Sequence, residues 1–353
     1  MQEQNNTTYS RNNDFLSFAE DICKKLKSLE ELSFEDQYFK DQSKALIKDF
    51  FLNNLYVFHQ CLHLERTQKF RDTILSLYDN INLYHYTTYE TLEKIITGKS
   101  LKLSCITDMN DKKECRALFD FYNTMYNESN DKEKNKNEAF KKLYNDYTSK
   151  IFSFSFSALK DDAAQWERYG VKKGTNDMKE PCGICLEIPM LCLKRLIDSI
   201  KKRNDPQLQK NFDLVDIKPI LYVPNFDTEN SMLDAVSRFA YLSNKNKEKK
   251  DFIKEMCQWS AAIKHESFKK EYEIRLLVAL HQPDIVKING SILLELDLPC
   301  YNFGDLFSSI TLGPEVPKKM KAKVEKLLKN NNIHIAPKDI TFSNCPLHFL
   351  HNS

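Results

Sequence analysis

The stretch FKKEYEIRLLV, residues 268–278, sets two carboxylates and a guanidinium at alternate positions. Alternate residues of a strand share a face. Glu271, Glu273 and Arg275 therefore form one row, and Tyr272, Ile274 and Leu276 form the other. On a solvent-facing edge strand the charged row is a weak ion-pair ladder. On the floor of a cleft, a carboxylate in that row stabilises developing positive charge or orients a hydroxyl.

A second row lies in KIFSFSFS, residues 150–157. Strict alternation marks a half-buried strand with Phe152, Phe154 and Phe156 on one side and Ser153, Ser155 and Ser157 on the other. Small hydroxyl side chains suit close approach of a ligand, and they suit a plain exposed strand as well. No Gly-x-Ser-x-Gly elbow accompanies them, which argues against a nucleophilic serine. His85 closes the apolar run INLYHY, directly before a helix whose Thr87 and Glu90 have capping-box spacing. It is either a packed residue or a ligand contact. Trp166 and Tyr169, three apart on a helix begun by Asp161 or Asp162, share a face and form either core or an aromatic wall.

Metal chemistry finds weaker support. Asp108, Asp111 and Glu114 of DMNDKKE supply three oxygens, short of a full divalent-ion set. Cys182 and Cys185 have zinc-knuckle or redox spacing, but no second pair matches them and the segment runs on as a strand. His59 and His63 lie at i and i+4 without the glutamate that a metalloprotease places after its first histidine. No metal is predicted.

The elements that must hold these residues follow from periodicity. Residues 14–78 read as helices, with Phe15, Phe18, Ile22 and Leu26 on one face. From residue 81 short strands alternate with helices: INLYHY, a helix ending near Gly98, SLKLSC, helix over 111–148, KIFSFSFS, the Trp166 helix, GICLEIP and KPILYV. Helix over 230–268 follows, then YEIRLLVAL, SILLELDL, SSITLGPEV, the basic helix PKKMKAKVEKLLKN, and a last strand near IHIAP. The expected fold class is α+β: a helical region over 1–80, available to a partner, and a mixed sheet domain over 81–353.

The 353 residues are 41% hydrophobic and 29% charged, ordinary for a globular protein, and the net charge of +2 selects for neither nucleic acid nor membrane. The polar start MQEQNNTTYSRNNDF lacks an apolar signal core, and no run reaches the roughly 18 apolar residues of a membrane span. A cytoplasmic location is expected, with the 10 cysteines as reduced thiols.

The ordered segments LYHYT, LKLS with MNDKKE, FSFS, QWERYG, GICLEI, EYEIRLL and ITLGPEV resemble a bacterial domain family of unknown function, the one numbered twenty-nine seventy-one. The resemblance covers roughly residues 81–349. The opening also looks like that of ADP-ribosyltransferases, which grip NAD in a split β-sheet core. That resemblance implies NAD as substrate and a macromolecular target, in phage defence or as a toxin. It places His85 at the NAD ribose, with Tyr86 and Thr87 of the same strand end among the residues that contact the cofactor. Ser153, Ser155 and Ser157 fall beside the nicotinamide, Tyr86, Trp166 and Tyr169 in an aromatic wall, and Arg275 at the cofactor. Glu273, with Glu271, takes the catalytic carboxylate position. The middle motif departs from both common versions of that superfamily. Two other readings stay open: a metal-dependent nuclease or nucleic-acid-binding effector using DMNDKKE, EYE and the basic helix from Lys318 to Lys329, and a non-catalytic binding module.

Overall fold

The computed structural model describes residues 81–109, 114–116, 118–120, 131–173, 179–201, 212–223, 249–281, 285–288, 291–297 and 306–347. Chain contacts separate 1–80 from 81–353, and the architecture below belongs to the second unit. The N-terminal helices expected over 14–78, with His59 and His63, lie outside the described residues, as does Asp111.

In chain order the elements are β1 (Asn82–Thr88), α1 (Tyr89–Gly98), β2 (Ser100–Cys105), α2 (Asp131–Thr148), β3 (Ile151–Ser157), α3 (Ala163–Tyr169), β4 (Val171–Lys173), β5 (Lys179–Pro181), β6 (Gly183–Pro189) and α4 (Met190–Lys201). They continue with β7 (Phe212–Pro219), β8 (Leu221–Val223), α5 (Lys249–Ser260), β9 (Ile263–His265), β10 (Glu273–Leu280), β11 (Ile285–Ile288), β12 (Ser291–Asp297), β13 (Ser309–Leu312), α6 (Lys319–Asn330) and β14 (Ile340–Phe342). The fold is α+β. Ten strands share one sheet in the order β11-β12-β2-β3-β1-β6-β13-β14, with β10 on β3 and β7 on β10. Its pairings are antiparallel except β13 with β14.

The sheet branches at β3. One edge of β3 pairs with β10 from Ile151 to Ser157. The other edge is shared: β2 meets Phe152 and Ser153, and β1 meets Ser157. Opposed residues of an antiparallel pair point to one side. Tyr84, Ser157 and Glu273 therefore share a face, with Ser155 and Arg275 beside them. The next residues along each strand, including His85, Phe154, Phe156, Ile274 and Leu276, take the opposite face.

Local sequence explains most element ends. The Thr88 side chain caps α1 by accepting from the Thr91 amide at 3.3 Å, one residue beyond the expected Thr87–Glu90 box, because Thr87 is still buried in the strand. Lys99 takes the left-handed turn at φ 47°, while Gly98 remains in the helix. Asp162 caps α3 through the Gln165 amide at 3.1 Å. Two expectations fail. The helix expected through residue 268 stops at Ser260, and Ile263–His265 pairs in parallel with β8 as a strand, its Ile263 and Lys264 buried. IHIAP is irregular, and the last strand is Ile340–Phe342, recruited by parallel pairing with β13.

Trp166 is the largest fully buried side chain. Burying a whole indole removes roughly 200 Å² from water, on the order of 5 kcal/mol. Tyr86 meets it edge-on at 4.8 Å between ring centroids. The slot is cut by glycine: a Cβ on Gly183 would lie 3.1 Å from the indole, and one on Gly313 would lie 3.0 Å from it. A Cβ on Gly170 would lie 3.2 Å from the same ring. The indole nitrogen donates to Asp161 at 2.7 Å, and Asp161 also accepts from the Ser343 hydroxyl and, at 2.8 Å, from the Asn344 amide.

Gly183→Ala also sets its methyl 2.6 Å from the Gly170 Cα, so backbone must move. The expected loss is about 1–3 kcal/mol of unfolding free energy by urea titration, the usual cost of overpacking. An unchanged midpoint would show that the slot has slack.

Candidate functional site

β10 is neither an edge strand nor an open cleft floor. It runs between β3 and β7, and all eight of its residues are buried. Its charged row therefore carries its own counter-ions inside the protein. Burying a charge costs several kcal/mol unless it is paired and hydrogen-bonded.

Glu273 meets that condition with an arginine two residues away on the same face. Arg275 Nε donates to Glu273 Oε1 at 2.8 Å, and its Nη2 donates to Oε2 at 3.1 Å. Arg275 is 0% exposed, and its Nη1 donates to the Ala261 carbonyl at 2.8 Å. Lys264 on β9 adds a bond to Glu273 Oε2 at 3.1 Å and another to Glu271 Oε2 at 2.7 Å. Arg168, near the end of α3, pairs with Glu271 Oε1 from the exposed side. Burial pushes the Glu273 carboxyl upward, but Arg275, Lys264 and the hydrogen bonds from Arg275 and Ser155 outweigh it and hold the pKa at about 2.

Glu271 is not part of the strand. It ends a 3-10 segment, Glu266–Glu271, and Tyr272 turns the chain into β10 with φ 42°. Tyr272 is thus a joint rather than the first apolar residue of the strand. The Glu271 carbonyl accepts from the Ser157 hydroxyl at 2.7 Å and from Gln165 Nε2 at 3.4 Å. Phe268 of the same segment lies under Lys264 at 4.7 Å and under Arg168 at 5.7 Å.

The structure brings Glu271, Glu273, Arg275, Ser155 and Ser157 together. Ser153 shares their row, is buried, and its hydroxyl has no hydrogen-bond partner among the described residues. Tyr86 and Trp166 pack in one apolar cluster with Tyr84 and Cys185, which lie on this face. Tyr86 is committed to the backbone: its hydroxyl donates to the Leu159 carbonyl at 2.8 Å and accepts from the Asp162 amide at 3.0 Å. Tyr169 is not beside Trp166 in a wall, because it is 45% exposed while Trp166 is fully buried.

His85 is not brought to the carboxylates. Its ring stacks on Phe154 with centroids 4.1 Å apart and meets Phe156 at 6.3 Å, on the opposite face of the sheet. Its Nδ1 lies 2.9 Å from the Ser155 carbonyl, at the point where β1 and β2 part from β3. A carbonyl only accepts, so the proton sits on Nδ1 of a neutral ring. Burial lowers the His85 pKa to about 4, against the upward pull of that hydrogen bond. Thr87, two residues on, takes the His85 face and is buried, whereas His85 as a whole is partly buried.

Three contributors were not read from sequence: Lys264, Arg168 and Gln165. Lys264 left a trace, a lone lysine directly after the apolar run AAI, but the segment looked like the tail of a helix. The Asp108 carboxylate, one of the three oxygens weighed above as an incomplete metal set, accepts the Ile292 amide at 2.7 Å and so organises the start of β12. Among the described residues no group of three or more His, Cys, Asp or Glu side chains is placed to hold a metal ion. None of their helices is long and apolar enough to cross a membrane. No family model matches the chain, and no curated protein or solved structure matches it significantly.

Two acid transitions are expected. Unfolded His85 takes up its proton near its ordinary pKa of 6.5, whereas the folded ring resists until about 4. The unfolded state therefore binds more protons in that window, and stability falls as pH drops through it. Glu273 has the carboxylate pattern: its contribution is complete above the ordinary 4.5 and is lost as pH falls toward about 2. Urea titrations across pH should show His85→Asn flattening only the upper window. Glu273→Gln should flatten only the lower one and cost about 3–5 kcal/mol at neutral pH by stranding buried cations. A His85→Asn profile parallel to wild type would show that the ring titrates normally.

Proposed function

We propose that the chain is an NAD-consuming enzyme of the ADP-ribosyltransferase type, acting in the cytoplasm on a macromolecular target, with the Glu271–Glu273 face as its working site. The observation that carries this reading is a carboxylate kept ionised inside the protein, Glu273, with a second carboxylate, Glu271, sharing its lysine. Cleaving a glycosidic bond builds positive charge on the sugar, and a fixed anion in a dry site opposes that charge most effectively. The ordered motifs that resemble the family support the same class, and with it a role in phage defence or as a toxin.

In this reaction the bond between ribose C1′ and the nicotinamide ring nitrogen breaks. The bonding pair leaves with nicotinamide, which departs neutral. A nucleophilic oxygen or nitrogen of the target forms the new bond at C1′ and releases its proton. Glu273 opposes the charge on the ribose, Arg275 keeps Glu273 ionised and aimed, and Glu271 accepts the proton. Lys264, which is shared with Glu271, is the donor that must yield at Glu273.

A second reading, a non-catalytic binding module, is favoured by the full set of donors already on Glu273 and by the position of His85 on the far face. Nicotinamide release from NAD separates the two, measured with panels of protein, DNA and RNA. Wild type is expected to release it. Glu273→Gln should lower the rate by at least about 100-fold, the scale of losing one pre-organised charge-stabilising group. Glu273→Gln/Lys264→Met should do the same; it removes one charge of each sign, so its loss does not come from a stranded lysine. Intact NAD across every panel would overturn the enzymatic reading.

A further inference from the structure

We infer that Arg168 and Lys264 form a phosphate-type anion site over the Phe268 ring, and that Glu271 occupies it as an internal stand-in for the ligand. The inference rests on the reading above only for the identity of that ligand, the diphosphate of a nucleotide.

Three observations carry it. First, the site is cationic and opens outward. Arg168, Lys264 and Arg275 face two carboxylates, a surplus of one positive charge among these five side chains. The Arg168 side chain is 43% exposed, whereas Glu271 is 8% exposed. Second, the two cations that hold Glu271 flank one aromatic ring, Lys264 at 4.7 Å and Arg168 at 5.7 Å from its centre. That ring favours a pair of cations that like-charge repulsion would otherwise separate. An arginine fork beside an ammonium is the usual protein grip on phosphate oxygens.

Third, the stand-in is removable without unfolding anything. The Glu271 backbone is anchored independently, through Ser157 and Gln165 on its carbonyl. Only the carboxylate is held by the two cations. Rotation of one side chain therefore removes the carboxylate that Arg168 and Lys264 share, while Lys264 keeps its bond to Glu273 and the backbone stays in place. A diphosphate carries more charge and more acceptor oxygens than a carboxylate, so it competes for the same donors. The displaced carboxylate is then released from both cations, and its oxygens are open to accept a proton from a target nucleophile. The ligand that fills the site thus switches the second carboxylate on.

The test uses the full-length chain with inorganic pyrophosphate and ADP as probes, read by calorimetric titration and by the shift in thermal midpoint. Glu271→Gln removes the competing charge but keeps the shape, and both probes should bind it at least about tenfold tighter than wild type, a 1.4 kcal/mol change. Arg168→Ala/Glu271→Gln should lose that gain. Should Glu271→Gln fail to fold, wild type against Arg168→Ala decides the matter: millimolar ADP should raise the wild-type midpoint and leave that of Arg168→Ala unmoved. Equal affinities in wild type and Glu271→Gln, or a gain that survives Arg168→Ala, would overturn the inference. Tight pyrophosphate binding by Glu271→Gln, with NAD left intact by wild type across every panel, would uphold this site and sink the catalytic reading. Nicotinamide release with unchanged ADP affinity would do the reverse.

Discussion

A charged carboxylate cannot lie inside a sheet alone, and the neighbourhood of Glu273 is arranged around that fact. Arg275 supplies two bonds from the same strand, but its remaining nitrogen needs an acceptor, which is the Ala261 carbonyl. The chain must therefore turn at Ala261, directly after α5. Lys264 must then arrive from the strand that follows, and that strand is stabilised by parallel pairing with β8. The short β8–β9 pair, the 3-10 segment and the left-handed turn at Tyr272 are the geometry needed to bring two cations to one anion. Such a network does not necessarily add stability over an apolar core.

The branch in the sheet raises a second polar problem. Where β1 and β2 leave β3, the Ser155 carbonyl faces the gap, and an imidazole fills it. The choice of histidine is then intelligible: it donates once, stays neutral and stacks on phenylalanine. Leu83, two residues earlier on the same face, is wholly buried and has nothing to donate. The carboxylate cluster and the imidazole sit on opposite sides of one sheet, joined through Ser155, whose side chain serves Glu273 and whose carbonyl serves His85.

Much of the fold was legible because it depends on short-range pattern. The alternation of KIFSFSFS gave the right strand and the right two faces, and the periodicity of α1 and α6 gave helices in the right places. What pattern does not encode is which strands become neighbours. Glu271, Glu273 and Arg275 looked like a row on one strand, and whether that row met water depended on β3 and β7 enclosing it. Lys264 was missed because three residues, IKH, are too few to show a period. His85 was placed in one cleft with Glu273 by the resemblance to ADP-ribosyltransferases, not by anything in the pattern of the strands. Register, which fixes the side, is set by pairing across long stretches of chain. The strand at 333–337 failed for a related reason: its apolar alternation is real, but no neighbour was left to accept it.

The slot around Trp166 has a consequence for the order in which the protein becomes functional during synthesis. Its walls come from Gly170, Gly183 and Gly313, and its polar latch from Asp161 with Ser343 and Asn344. The indole leaves the ribosome long before the last of these. A nascent chain that has emerged past Gly183 holds a large apolar ring in a half-built recess, and the recess closes only when Gly313, Ser343 and Asn344 are free as well. Domains generally complete as units. Because α3 carries both Trp166 and Arg168, the helix bearing the exposed cation is seated only at that same late moment, so a chain cut short of Ser343 would carry every charged side chain of the cluster without the support that aligns them.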